Sequence, residues 1–178
     1  MSSPSKEPFM RRIRLATSMF VAAVLTSTAF AGTASAASSL TTLTFSSTVT
    51  SVETNLQTLP GGHTYGWNHL TGTTKWGNQS ATIDFLGDVN YVDGSGAFGG
   101  YITVTRADGT KLAFTSKGNA LAEDQVTEGI AARFTGALEV IGGTNAYARA
   151  TGIGTMTGTR AAAIGSPVKL VFRLHVRK

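Results

Sequence analysis

The last ten residues before the C-terminal lysine alternate without a break. Val168, Leu170, Phe172, Leu174 and Val176 take every second position, with Lys169, Val171, Arg173, His175 and Arg177 between them. Strand side chains point to opposite faces in turn, so this order builds one apolar and one largely polar face. A helix would scatter the same apolar residues around its axis. Pro167 stands at the start of the run, where a strand tolerates it. Such a segment needs a sheet whose one face is covered, and the rest of the chain must supply the neighbours.

It does so repeatedly. In 130–141, Ile130, Ala132, Phe134, Gly136, Leu138 and Val140 share a face, opposite Arg133, Thr135 and Glu139. In 81–91, Ile83, Phe85, Val89 and Tyr91 oppose Asp84, Asp88 and Asn90, and in 41–50, Leu43, Phe45 and Val49 oppose a run of threonines. Asp108-Gly109 lies between two β-rich runs, a strong hairpin signal because glycine accepts the positive φ of a tight turn. Asp93-Gly94 separates two further runs in the same way. In 151–160, Gly152, Gly154 and Gly158 share a face against which another strand can pack closely.

These patterns predict eight strands, over 41–51, 63–70, 80–91, 98–106, 110–116, 129–141, 151–160 and 167–177. Only 120–128 and 144–149 carry helical character. Short strands joined by Gly-rich turns point to a sandwich or a closed barrel, and closure removes exposed edges. An eight-stranded barrel has an interior that side chains fill or that holds one small ligand.

Composition supports a folded chain. Of 178 residues, 42% are hydrophobic and 14% charged, too apolar and too weakly charged for disorder. The absence of cysteine excludes a disulfide scaffold and thiolate metal sites. The length suits one domain.

The N-terminus has the three parts of an export signal. Lys6, Arg11, Arg12 and Arg14, with Glu7 the one acid, precede the apolar run Leu15–Leu25, and small residues end at Ala34-Ser35-Ala36. A membrane-spanning helix needs ~18 or more apolar residues, and Thr17, Ser18, Thr26, Ser27 and Thr28 interrupt this one. The expectation is a signal peptide over 1–36, cleavage after Ala36, a single barrel domain over 37–178, and a secreted product, extracellular or periplasmic. No cysteine follows the cleavage point, so no lipoprotein anchor or other stable membrane anchor is expected. Arg11-Arg12 leaves twin-arginine export open beside the general route. Residues 37–178 hold 11 basic and 9 acidic side chains, a net +2 against +5 for the whole chain. Without a concentrated basic surface, nucleic-acid binding is not expected.

The stretch Phe134-Thr-Gly-Ala-Leu-Glu-Val-Ile-Gly-Gly-Thr-Asn-Ala-Tyr-Ala-Arg-Ala-Thr-Gly-Ile-Gly-Thr-Met-Thr-Gly158 resembles the allene oxide cyclase and dirigent barrel superfamily, in its small secreted bacterial members. The likeness lies in a strand, a Gly-Gly-Thr turn, a short aromatic segment and a Gly-rich strand, and it extends over 78–177. It implies an all-β, calycin-like, eight-stranded antiparallel β-barrel with an internal pocket. Plant members cyclise an oxylipin or steer phenoxy-radical coupling, but the match covers structural positions and transfers no catalytic residue. In physical terms, Gly142-Gly143 ends a strand, Thr144 or Asn145 can cap a short helical turn, and Tyr147 can tuck its ring against the barrel end.

Candidate binding residues are His63, Tyr65, Trp67 and His69, which alternate along one strand face, together with Tyr91. On an interior face, such polar-tipped aromatics would orient a flat ligand by stacking and hydrogen bonding. The competing reading is an exposed aromatic hairpin, and Gly66 could form a bulge that breaks the alternation. His63 and His69 lie roughly 20 Å apart on one strand, too far to share an ion, so no metal and no cofactor are expected. Asp88, Asn90 and Asp93-Gly94 have the outline of a calcium loop but lack its spacing and closing glutamate. Arg133, Glu139 and Asp84 fall on the polar face, and Arg106 stands with them as a candidate for acid–base work, with solvated surface the better reading. The first functional class is a secreted barrel binding an apolar or aromatic small molecule. The second is a cofactor-free cyclase, isomerase or dirigent-like protein that confines a reactive substrate, and the third is a cell-surface structural barrel with a filled interior. Whether the chain is an enzyme, and whether it forms oligomers, the sequence leaves open.

Overall fold

The computed structural model of the chain describes residues 39–127 and 129–178. The export segment, 1–36, lies outside the described residues. The strands are β1 (Leu40–Leu59), β2 (His63–Trp76), β3 (Gln79–Val92), β4 (Ser95–Arg106), β5 (Lys111–Thr127), β6 (Ile130–Gly143), β7 (Thr151–Arg160) and β8 (Val168–Arg177). Each pairs antiparallel with the next, and β1 pairs with β8, so the sheet closes into a barrel in chain order. The closing seam runs from Leu40 opposite Arg177, through Phe45 opposite Phe172, to Val49 opposite Val168. None of the described helical residues forms a helix long and apolar enough to cross a membrane.

Alternation sorts the two faces as the sequence requires. Along β8, Leu170, Phe172, Leu174 and Val176 are buried while Lys169, Val171, Arg173, His175 and Arg177 are exposed. Along β6, Ala132, Phe134, Leu138 and Val140 are buried while Arg133 and Glu139 are exposed. Phe114 of β5 meets Phe172 of β8 across the interior, and Phe45 meets Trp76 edge-to-face at 5.6 Å between ring centroids. Burial of these rings supplies the main driving force for closure.

The glycines of β7 allow close packing of β8. A Cβ at Gly152 would come within 2.2 Å of the His175 carbonyl oxygen, and one at Gly154 equally near that of Arg173. At Gly158 it would meet a Leu170 methyl at 2.5 Å. Core side chains of β8 occupy the space that β7 leaves empty.

Two expectations need correction. The 120–128 segment is strand, not helix, as far as β5 extends: Ala120, Leu121 and Ala122 pair with Phe134, Arg133 and Ala132. Pairing with β6 outweighs the modest helical preference of an Ala/Leu/Glu-rich stretch. The irregularity near β2 lies in β1, between Ser51 and Glu53, where the exposed Val52 is the extra residue, and not at Gly66. The β2–β3 ladder runs through Gly66 without a shift. Gly66 serves a close approach instead, since a Cβ there would lie 2.0 Å from the Asn55 carbonyl oxygen. The Ser51–Glu53 irregularity hides the second half of β1 from a period-two reading, which is why the strand extends beyond residue 51.

The two ends of the barrel differ. At one, a single 3₁₀ turn (Asn145–Tyr147) buries Tyr147 against Trp76, with ring centroids 5.0 Å apart. Thr144 precedes this turn but does not cap it. Its hydroxyl accepts a hydrogen bond from the Lys111 amide at 2.8 Å and so ties the 144–150 connection to β5. Arg106 stacks its guanidinium over Trp76 at 5.5 Å and closes the same end. At the other end, the Asp93 amide donates to the Gly62 carbonyl at 2.9 Å and joins two hairpins. The long β7–β8 connection, 161–167, reaches the cavity at that end.

Candidate functional site

Most of the interior is packed solid. Phe45, Ile83, Ile102, Val104, Leu112, Phe114, Phe172 and Leu174 are wholly buried and fill the barrel from its middle to the Trp76 end. Toward the other end the side chains part, leaving a cavity of about 70 Å³ that opens at the barrel mouth. That is space for a few ordered waters or for the end of a small molecule. Its wall is mainly apolar, with Val49, Leu70, Phe85, Phe98, Phe134 and Met156 among its residues, and Ile164 and Gly165 of the β7–β8 connection contribute at the mouth.

Polar groups enter this wall at few points. Ser51 and Thr54 both donate to Asn68 Oδ1, the latter at 2.8 Å, which occupies that oxygen. Tyr91 is only 3% exposed, and burial pushes its hydroxyl pKa up to about 12, with Arg160 opposing the rise and Asp88 adding to it. Tyr91 therefore presents a neutral O–H to the cavity at any physiological pH.

Arg160 is the second such group. It ends β7 on the inner face, in phase with Gly152, Gly154, Met156 and Gly158, and is only 7% exposed. Its Nε donates to the Ala162 carbonyl at 2.9 Å, anchoring the start of the β7–β8 connection. Its guanidinium lies over the Phe134 ring at 5.6 Å. Burial lowers its pKa from the ordinary value and the neighbouring Tyr91 opposes that, yet arginine stays charged.

Of the five residues expected to form a binding site, Tyr91 alone lines the cavity. His63, Tyr65, Trp67 and His69 do share a face of β2, but it is the outer one. Tyr65 is 58% and Trp67 40% exposed, and they stand opposite Asn90 and Asp88, both exposed. His63 is exposed as well, and His69 Nε2 sits 3.3 Å from Asp84 Oδ1 on the outer wall. The inner face of β2 belongs to the other parity, including Leu70, because β2 must match Phe85 of β3. The aromatic residues of 63–69 thus form an external stripe, the competing reading of the sequence.

The charged candidates are dispersed. Arg133 pairs with Glu123 at 2.8 Å and Glu139 is exposed, both on the outside. Arg106 belongs to the Trp76 end, 3.7 Å from Asp108. Asp88 borders the cavity, but its carboxylate lies over Gly99 on the outer surface, 3.3 Å from where a Cβ there would be. Asp93 and Gly94, with φ of 51° and 81°, make the tight turn between β3 and β4. Among the described residues, no group of three His, Asp or Glu side chains could hold a metal ion.

Arg160 and Met156 are among the cavity residues that sequence reading passes over. Their signal lies in the even-numbered phase that the β7 glycines set. Comparison of this chain with protein-family models, with curated proteins and with solved structures finds no match.

Proposed function

We propose that this chain is an exported barrel that binds a small apolar or aromatic molecule at the mouth of its interior. The observation that carries the reading is the contrast between the two halves of the interior. One is filled by wholly buried side chains, and the other holds a cavity of about 70 Å³ with a mainly apolar wall and a few polar groups, Tyr91 and Arg160 among them. Ligand sites have this composition, with a mostly apolar lining and few placed polar groups.

The resemblance to the allene oxide cyclase and dirigent barrels offers catalysis by confinement as the second reading. The protonation states favour binding. Tyr91 keeps its proton and Arg160 its charge, so neither takes up and releases a proton near neutral pH.

Calorimetric titration of the chain lacking 1–36 with 1-octanol tests the site. Val89→Phe, which places a ring into the cavity wall, should abolish binding without lowering the melting temperature. Binding that survives Val89→Phe unchanged would place the ligand elsewhere. Incubation that alters a bound substrate chemically would favour the catalytic reading. Export is tested by mass spectrometry of the culture medium, where the chain should begin near Ala37; uncleaved protein confined to the cytoplasm would refute it.

A further inference from the structure

We propose a second binding site, on the outer wall of the barrel: a trough along β4 that takes one ring of a neutral oligosaccharide, with the next ring stacked on Trp67. It is independent of the interior cavity.

The trough has a volume of about 610 Å³ and opens to solvent. The outward positions of β4 fall on Ala97, Gly99 and Tyr101. The first two hardly project, so they make a floor. Register sets the walls. Asp88 of β3 pairs with Gly99 on one side and Lys117 of β5 on the other, and Asn119 of β5 pairs with Ala97. Strands two apart in a sheet are separated by roughly 9–10 Å, which leaves room between the walls for one pyranose ring. Tyr101, 61% exposed, closes one end of the floor.

The chemistry of the walls is mixed in sign. Asp88 leans its carboxylate over the Gly99 floor, and no ion pair among the described residues joins it to Lys117. The trough therefore presents an acceptor, an ammonium donor and the Asn119 amide, which does both. One acid and one base cancel, so there is no net charge to hold an ion. A polyol answers this set, because each hydroxyl donates and accepts while the C–H face of its ring covers the Tyr101 ring. In the same row, the exposed Trp67 of β2 pairs with Asp88. A second aromatic face just beyond the wall suits a chain of rings and not a lone one. A zwitterion would match Asp88 and Lys117 but would leave both aromatic faces uncovered.

The test titrates cellohexaose, chitohexaose and maltohexaose at pH 7 into the chain lacking 1–36, followed by calorimetry and by tryptophan emission. At least one should bind with a millimolar Kd or tighter and shift the emission to the blue. Gly99→Val, which raises the floor, should abolish that binding and leave the affinity for 1-octanol within about twofold, since the cavity lies on the other side of the sheet. Tyr101→Ala and Trp67→Ala should each weaken binding roughly fivefold or more, and Trp67→Ala should also remove the emission shift. Hexagalacturonate, a charged counterpart, and the zwitterion glycylglycine should both bind more weakly than the neutral probe. Failure of all three neutral hexasaccharides overturns the proposal and leaves the cavity reading standing. Binding that Gly99→Val or Tyr101→Ala leaves unchanged places the sugar elsewhere and overturns it too. So does tighter binding of hexagalacturonate or glycylglycine, or a Trp67→Ala variant that binds as the unsubstituted chain does. If Gly99→Val does not fold, the exposed Tyr101→Ala still decides.

Discussion

Phe114 and Phe172 meet edge-to-face inside the barrel, their ring centroids 5.8 Å apart and their planes at 63°. They belong to β5 and β8, strands that share no ladder, so the contact spans the interior. Both rings are fully buried. They lie among other wholly buried side chains, Phe45, Leu112 and Leu174.

Phe172→Ala should therefore leave a void that the rigid wall cannot close, at a cost of ~3–5 kcal/mol. Arg173, the next residue, is exposed, and Arg173→Ala should stay within ~0.5 kcal/mol. Denaturant melts of the two variants measure the difference. A one-residue slip in register would reverse the order.

Gly154 faces the backbone of β8, where a Cβ would sit 2.2 Å from the Arg173 carbonyl oxygen. Backbone cannot rotate away as a side chain can, so Gly154→Ala should strain the β7–β8 ladder and cost ~1–3 kcal/mol. Thr155, pointing outward, should accept alanine within ~0.5 kcal/mol. Thermal melts decide, and equal effects at 154 and 155 would contradict the close packing.

Tyr91 makes stability depend on alkaline pH. Its pKa in the folded chain is about 12, raised from 10.0 chiefly by burial. The unfolded chain loses the phenolic proton first, so the favourable contribution is complete below pH ~10 and disappears as pH rises through ~12. The contribution is of order 2 kcal/mol. Melting temperatures between pH 9 and 12 should fall more steeply for the unsubstituted chain than for Tyr91→Phe, and parallel curves would show that the hydroxyl is not buried.

The two tryptophans report the outward turn of β2. Trp67 is 40% exposed and Trp76 only 5%. Trp67→Phe should leave a blue-shifted emission shielded from acrylamide, and Trp76→Phe a red-shifted emission open to it. The opposite result would return the 63–69 aromatics to the interior.

The inner faces of β3, β6 and β8 were legible because most of their residues follow an apolar–polar alternation. A buried face against water leaves one register possible. The same logic placed Gly152, Gly154 and Gly158 on a shared face. It failed where both faces of a strand carry comparable residues: in 63–69 the aromatic parity and its alternative are equally plausible as an inner face.

What the sequence by itself determined is a sheet with one dry side, since period-two burial is local and is written residue by residue. Only the tertiary structure decided which way β2 faces, because that follows from Phe85 of β3 needing Leu70 opposite it. It also decided that Ala120–Ala122 extend as strand, through pairing with β6 some ten residues away. The cavity belongs to the same class. No local pattern marks Arg160 beside Tyr91, because β7 and β3 are brought to one mouth by closure alone, and a void is a property of how all the strands pack and not of any one of them.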